Sequence, residues 1–247
     1  MDIKVYQVFH KSYPVLNESN WMCPIGVSGY IPGNMMSDAN GQNIAALNKY
    51  YCELTVIYYI WKNRRRSDYI GLSHYRRFLN FKIDNSFHDI FALSEKVISP
   101  EIIDYLTDNT QYNLLEKIMN ITDVVIPRRS LLLPNIKVQY LTCMESSPWL
   151  AFEDAIQKKY GVDEKYLNFF EISPLAPICN MFVMKWDVFI SYCEDLFEII
   201  NHVYETIGAP YDEYNNRYPG FLAERYLGFW LHFNNVSYLE VPVITFK

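Results

Sequence analysis

The densest chemistry in the 247-residue sequence is the run His74-Tyr75-Arg76-Arg77, where two guanidiniums directly follow a short apolar stretch, Asp68-Tyr69-Ile70-Gly71-Leu72-Ser73. A guanidinium presents a planar fork of donors that grips a phosphate through two parallel hydrogen bonds, so the pair suits a diphosphate. Alternation along an extended segment points His74 and Arg76 one way and Tyr75 and Arg77 the other. An arginine here could equally pair with a structural carboxylate such as Glu53 or Glu224, and four residues alone leave both readings open.

Glu224 stands in Pro219-Gly220-Phe221-Leu222-Ala223-Glu224-Arg225, three residues after Phe221 and three before Leu227. A carboxylate among apolar neighbours has a shifted pKa, a salt partner or a job as a general base. An ion pair tying its helix to the arginine-bearing segment is the structural alternative. Glu53, on a segment apolar nearly all round, invites the same two readings, with the structural one favoured. The run Arg64-Arg65-Arg66 reads as a solvated loop before it reads as a membrane or lipid-diphosphate contact.

These side chains need elements to hold them. Residues 3–9 are β-branched and aromatic and end at His10-Lys11, which predicts a first strand. A Pro/Gly/Ser/Asn-rich loop follows at 21–40. Between 43 and 63 the residues Ile44, Leu47, Tyr51, Leu54, Tyr58 and Trp61 recur every three or four positions, which predicts one buried helix. Short strands are expected at 68–73, 123–127, 178–184 and 236–246, and a helix over 101–118. Asp187 is placed to cap a helix carrying Phe189, Tyr192, Leu196, Ile199, Val203 and Ile207 on one face. Pro219 reads as the first residue of a last helix running to about His232. Strands alternating with helices predict an α/β fold with a mixed, mostly parallel sheet covered on both faces, and such sheets bind ligands beyond the carboxyl ends of their strands. His10, Lys11, His74, Arg76, Arg77 and Arg128 all follow expected strands and should gather on that rim.

Composition narrows the function. A net charge of −6 and an isoelectric point near 5.4 argue against a nucleic-acid-binding protein while leaving room for a local basic site. The start is too polar for a signal peptide and no stretch approaches a membrane span, so the expected location is the cytoplasm. Five widely spaced cysteines include no C-x-x-C pair and predict neither disulfides nor zinc. The 17% aromatic content suits an aromatic core or a carbohydrate-facing cleft. Metalloprotease, nucleophile-elbow, Walker and dinucleotide motifs are all missing from the sequence. No linker-like stretch occurs, which predicts one domain over 1–247.

Taken in order, His10-Lys11, Cys23-Pro24-Ile25-Gly26-Val27, Gly41-Gln42-Asn43-Ile44, Tyr51-Cys52-Glu53-Leu54-Thr55, Trp61-Lys62-Asn63, Ile70-Gly71-Leu72-Ser73-His74-Tyr75-Arg76-Arg77, Asn180-Met181-Phe182-Val183-Met184 and Gly220-Phe221-Leu222-Ala223-Glu224-Arg225 resemble the signature of one bacterial family. It is the domain-of-unknown-function family often labelled capsular or exopolysaccharide biosynthesis glycosyltransferase. The resemblance implies a single-domain GT-A-like, Rossmann-like fold and a nucleotide-sugar donor, with a UDP-sugar first among the candidates and galactofuranose or another hexose as the sugar. It implies a saccharide or lipid-linked saccharide acceptor, which would bring the enzyme to the inner membrane face without an anchor. The family tends to carry a His a few residues beyond the position of Tyr140, and this chain has Leu141-Thr142-Cys143-Met144-Glu145 instead.

Most GT-A enzymes hold a divalent metal on the donor diphosphate through an Asp-x-Asp motif. No such motif occurs in this sequence, so the resemblance leaves the metal open and suggests that His74, Tyr75, Arg76 and Arg77 meet the diphosphate directly. Inverting members of that fold class often carry their base at the start of a late helix, which is where Glu224 falls. His10 and Lys11 are candidate nucleotide contacts, with Asp38 and Asn43 behind them. Two rivals stay open: a transferase or hydrolase of another phosphate-activated group, and a non-catalytic binding or scaffold subunit of a polysaccharide assembly complex.

Overall fold

The opening β-branched run forms β1 (Ile3–Phe9) in a computed structural model that describes residues 1–13, 20–33, 35–82, 93–161 and 164–246. In chain order the other strands are β2 (Met22–Gly26), β3 (Met36–Ser37), β4 (Tyr69–His74), β5 (Arg77–Leu79), β6 (Leu93–Lys96), β7 (Val124–Pro127), β8 (Ser130–Leu131), β9 (Leu175–Ala176), β10 (Phe182–Lys185), β11 (Tyr238–Val241) and β12 (Val243–Phe246). Ten of them form one sheet with the path β11-β7-β10-β4-β1-β2-β3, and β5, β6 and β12 join beside it. Strand β1 lies between β2 and β4, parallel to both, so residues after β1 and β4 emerge at the same edge. The sheet is mixed because β10 runs antiparallel to both β4 and β7, while β11 and β7 are parallel.

Two strands lie inside the stretch expected to be loop. Pro24 and Gly26 hide β2 from a local reading, and its identity as a strand comes from pairing with β1 from Val5↔Met22 to Phe9↔Gly26. The single strand expected at 236–246 is two, because Pro242 has no N–H to offer and the chain crosses there from β7 to β5 and β6.

The helices are α1 (Asn48–Tyr51), α2 (Leu54–Asn63), α3 (Pro100–Thr107), α4 (Asn109–Met119), α5 (Ile136–Cys143), α6 (Ser146–Tyr160), α7 (Glu164–Ile172), α8 (Trp186–Ile207) and α9 (Tyr218–Phe233). The one helix expected over 43–63 is instead a 3-10 turn at Ala45–Leu47 followed by α1 and α2, broken at Cys52, whose φ is +51°. Asn48 holds the break: its Nδ2 donates to the Cys52 carbonyl and to Thr55 Oγ1, each at 2.9 Å. The helix expected over 101–118 is likewise two, because Asp108 turns its side chain to cap α4 at the Thr110 N–H. Asp187 does not cap α8. It sits in the first turn and pairs with Arg66 at 3.1 Å across an exposed surface. Pro219 is the second residue of α9 rather than the first.

Alternation along the strands divides the core. Tyr6, Val8, Ile70, Leu72, Val124 and Ile126 face α2, α5, α6, α8 and α9, while Ile3, Val5, Val125 and Val183 face α3 and α4. Both faces of the sheet are therefore covered by helices, as expected. Gly71 makes the centre tight: a Cβ there would lie 2.9 Å from Val5 Cγ2 and 3.0 Å from Val183 Cγ2. No helix among the described residues is long and apolar enough to cross a membrane.

Candidate active site

The arginine-bearing segment is a tight turn rather than an extended run. His74 pairs across the turn with Arg77, so these two share a face, and the alternation expected along 74–77 does not hold. Two backbone bonds fix the turn: Tyr75 N donates to the Val8 carbonyl at 2.9 Å, and Phe246 N donates to the Arg76 carbonyl at 2.8 Å. The Tyr75 ring is buried and forms a hub. His10 and Tyr13 meet it edge-on with centroids at 4.7 and 5.2 Å, and Lys11 Nζ and the Arg76 guanidinium carbon lie 5.5 and 5.7 Å from its centre. Cations over an aromatic face are held in place while their outer donors remain available.

A second wall is built from backbone that ordinary residues avoid. Cys52, Cys179 and Asn180 have φ values of +51°, +80° and +47°, each a conformation costing about 1–3 kcal/mol for a side-chain-bearing residue. Three such residues at one place are held by their neighbours. Asn180 Nδ2 donates to Glu53 Oε1 at 2.9 Å and to the Gly220 carbonyl at 3.1 Å, tying the segment before β10 to the α1–α2 break and to α9. His74 Nε2 lies 2.6 Å from the Cys179 carbonyl, and Cys179 N donates to Glu224 Oε1 at 2.9 Å. The strand expected from 178 begins at Phe182 for this reason.

Glu224 lies against this wall with its side chain 18% exposed. Burial raises its pKa to about 7, with Glu53 pushing the same way, against the opposing pull of Arg225, the Cys179 N–H and Arg77. Arg225 Nη1 lies 3.3 Å from Glu224 Oε2, and its Nη2 donates to Gln139 at 2.9 Å. Burial lowers the His74 pKa, with Arg77 and Arg76 adding to it and Glu53 opposing, so the ring is neutral at pH 7. A carbonyl can only accept, so the ring proton sits on Nε2. His10 is lowered too, by burial and then by Lys11, His74, Arg76 and Arg217, which places Arg217 within electrostatic reach of the rim. The thiols of Cys52 and Cys179 are pushed up to about 12 by burial and are inert.

The structure thus brings together His10, Lys11, His74, Tyr75, Arg76, Arg77 and Glu224. Arg76 and Arg77 pair with neither Glu53 nor Glu224: the first faces His74 at 3.9 Å and the second Arg225. Arg77 Nε is buried without a hydrogen-bond partner. Asp38 follows β3 at the same sheet edge as His10, and both Asp38 and Asn43 have hydrogen-bond partners within the protein. Asp38 is buried, accepts from Thr55 Oγ1 at 2.6 Å and steadies the start of α2. Asn43 spends its amide on the Ala39 and Gly41 carbonyls in the loop that rests on Asn63. Arg128 follows β7, its N–H bonded to the Val241 carbonyl.

Asn180, Arg217 and Arg225 also bear on this region, and Glu53, expected to be structural, accepts from Asn180 and faces His74. Arg217, whose Nε donates to Cys52 Sγ at 3.2 Å, lies before Pro219 in a polar loop that gives no periodic signal. An open concavity of about 500 Å³ lies at the other end of β4, beside Tyr69, but its charged groups are paired, Met1 with Glu116 and Arg66 with Asp187.

The cations that follow β1 and β4 and the buried carboxylate of Glu224 thus lie at one end of an α/β sheet. Residues 4–235 match the family model described as a domain of unknown function, DUF4422, and the chain belongs to that family. No curated protein matches the sequence. The fold is similar to that of a solved structure, the "WbbM bifunctional glycosyltransferase" in its apo form, with a TM-score of 0.88 and 24% identity over all of this chain. The match spans 46% of that protein's length. The architecture is thus the GT-A-like α/β fold expected from the sequence.

Proposed function

We propose that the chain is a glycosyltransferase that moves a hexose, galactofuranose among the candidates, from a nucleoside-diphosphate donor to a saccharide or lipid-linked saccharide acceptor in surface-polysaccharide assembly. The observation that carries this reading is Glu224, a carboxylate bonded to the Cys179 N–H, raised by burial to about 7 and within electrostatic reach of Arg77 at the β4–β5 turn. A general base works best when its pKa lies near the operating pH. Glu224 takes the proton of the acceptor hydroxyl as that oxygen forms a bond to the anomeric carbon. The bond from that carbon to the diphosphate oxygen breaks with its electron pair, and the nucleoside diphosphate leaves with inverted stereochemistry at the sugar.

Lys11, Arg76 and Arg77, held around the Tyr75 ring and the β4–β5 turn, neutralise the departing diphosphate, with Arg217 adding to the positive field felt at His10. Fixed donors of this kind need no reorganisation as charge develops. The fold shared with a protein named as a glycosyltransferase supports the same reading. A UDP-sugar is the first donor to try, and an acceptor on a lipid carrier would draw the protein to a membrane surface through the substrate alone.

Calorimetric titration with UDP, GDP, CDP and dTDP, each with manganese and with EDTA, tests this directly. One nucleotide should bind in EDTA, and Arg76→Ala or Arg77→Ala should weaken it by about 10-fold or more, the worth of a charge-assisted hydrogen bond. Absolute dependence on manganese or magnesium would remove the fixed-cation part of the proposal. Absence of binding by all four nucleotides to folded protein would remove the donor site.

A further inference from the structure

The His74 ring is tied by its Nε2 proton to a backbone carbonyl, beneath the rim that the diphosphate would occupy. That carbonyl belongs to Cys179, the residue whose N–H donates to Glu224 Oε1. One residue with φ of +80° therefore has both of its backbone polar groups bonded to site side chains. A non-glycine residue leaves this conformation unless something holds it, and the His74 bond at 2.6 Å is one of the two clasps. The other is Asn180, which follows with φ of +47° and is anchored to Glu53 and the Gly220 carbonyl.

We propose that His74 is a positioning residue for Glu224, acting through the backbone of Cys179. The inference rests on Glu224 being the base and deepens that reading by naming what regulates it. With His74 in place, the Cys179 N–H points at the carboxylate and favours its charged form. Without that clasp the segment relaxes towards negative φ, the N–H swings away, and Glu224 keeps only its other neighbours. Those neighbours are Arg225 on its own helix, Arg77 at the β4–β5 turn, Glu53 at the α1–α2 break, and the thiols of Cys52 and Cys179. Burial holds the ring's pKa below its ordinary value among Glu53, Arg76, Arg77 and His10, and the bond to the Cys179 carbonyl acts through geometry.

The lost bond stabilises a carboxylate, so its removal moves the Glu224 midpoint upward, by about one pH unit for a hydrogen bond to a charged group. The measurement is the carboxyl carbon resonance of Glu224, assigned by its loss in Glu224→Gln and followed against pH in wild type, His74→Phe and His74→Gln. The phenylalanine variant should titrate about one unit higher, whereas glutamine, whose amide can donate to the same carbonyl, should stay within a few tenths of wild type. A folded His74→Phe with the wild-type midpoint overturns the proposal, as does a His74→Gln that shifts equally far. If the phenylalanine variant does not fold, wild type decides: the Cys179 amide proton and the His74 ring proton should both report the Glu224 midpoint, and a ring proton blind to it overturns the coupling. A protein that shows the shift yet transfers no sugar refutes the transferase reading alone.

Discussion

At the scale of single residues, the behaviour of Glu224 follows from what surrounds it. An ordinary glutamate ionises near 4.5, and here desolvation moves the midpoint to about 7. Because the base must be ionised to act, kcat/KM should rise with pH through about 7 to an alkaline plateau. Glu224→Gln should lower turnover by about 10²–10⁴-fold, the usual worth of a positioned base, while leaving nucleotide affinity near wild type. Stability carries the same signature. The folded pKa lies above the unfolded one, so the native state binds a proton between about 4.5 and about 7 that the unfolded chain has released. This contribution to stability is complete below 4.5 and is lost as pH rises through 7. Denaturant titrations at several pH values should show that decline in wild type and a flatter profile in Glu224→Gln.

At the scale of elements, the site exists because regular structure is interrupted at two places. The break at Cys52 turns Glu53 towards His74 and Asn180, and the positive-φ pair before β10 lets the backbone reach Glu224. Helix α9 packs close enough that a Cβ on Gly220 would meet Cys52 Sγ at 3.3 Å. The sheet beneath has equally little slack. Gly71→Ala should destabilise the protein by about 1–3 kcal/mol through overpacking between Val5 and Val183, read as a lower denaturation midpoint with an unchanged slope. Repacking around that strand should also carry the loss to the β4–β5 turn that bears the arginines.

At the scale of the whole molecule, charge is distributed against its sum. The chain carries a net −6, yet Lys11 and Arg76 gather over the Tyr75 ring and Arg77 follows at the same turn. A local cluster of cations on an acidic protein draws anions to one place and repels them elsewhere. Nucleoside-diphosphate binding should therefore weaken several-fold between about 0.05 M and about 0.3 M salt, as screening shortens the reach of these charges. The Arg76→Ala variant should show a shallower dependence in the same titration.

Legible in the sequence are the short apolar strands that end in His10-Lys11 and His74-Tyr75-Arg76-Arg77, and a carboxylate at Glu224 on a late apolar helix. These are local patterns, in which periodicity fixes the element and the residue at its end fixes what is presented. The sequence also carried the α/β class, because a sheet covered on both faces needs apolar residues on both sides of its strands. The remainder arises from contacts between segments far apart in the chain. Neither the break in the helix at Cys52 nor the left-handed backbone at Cys179 and Asn180 has a glycine or proline to announce it, because contacts from distant segments stabilise both. The pairing of Glu53 with Asn180 joins residues 127 apart, and the bond from Cys179 to Glu224 spans 45. Desolvation of Glu224 depends on every element that closes over it, so its shifted pKa arises only when the chain is folded.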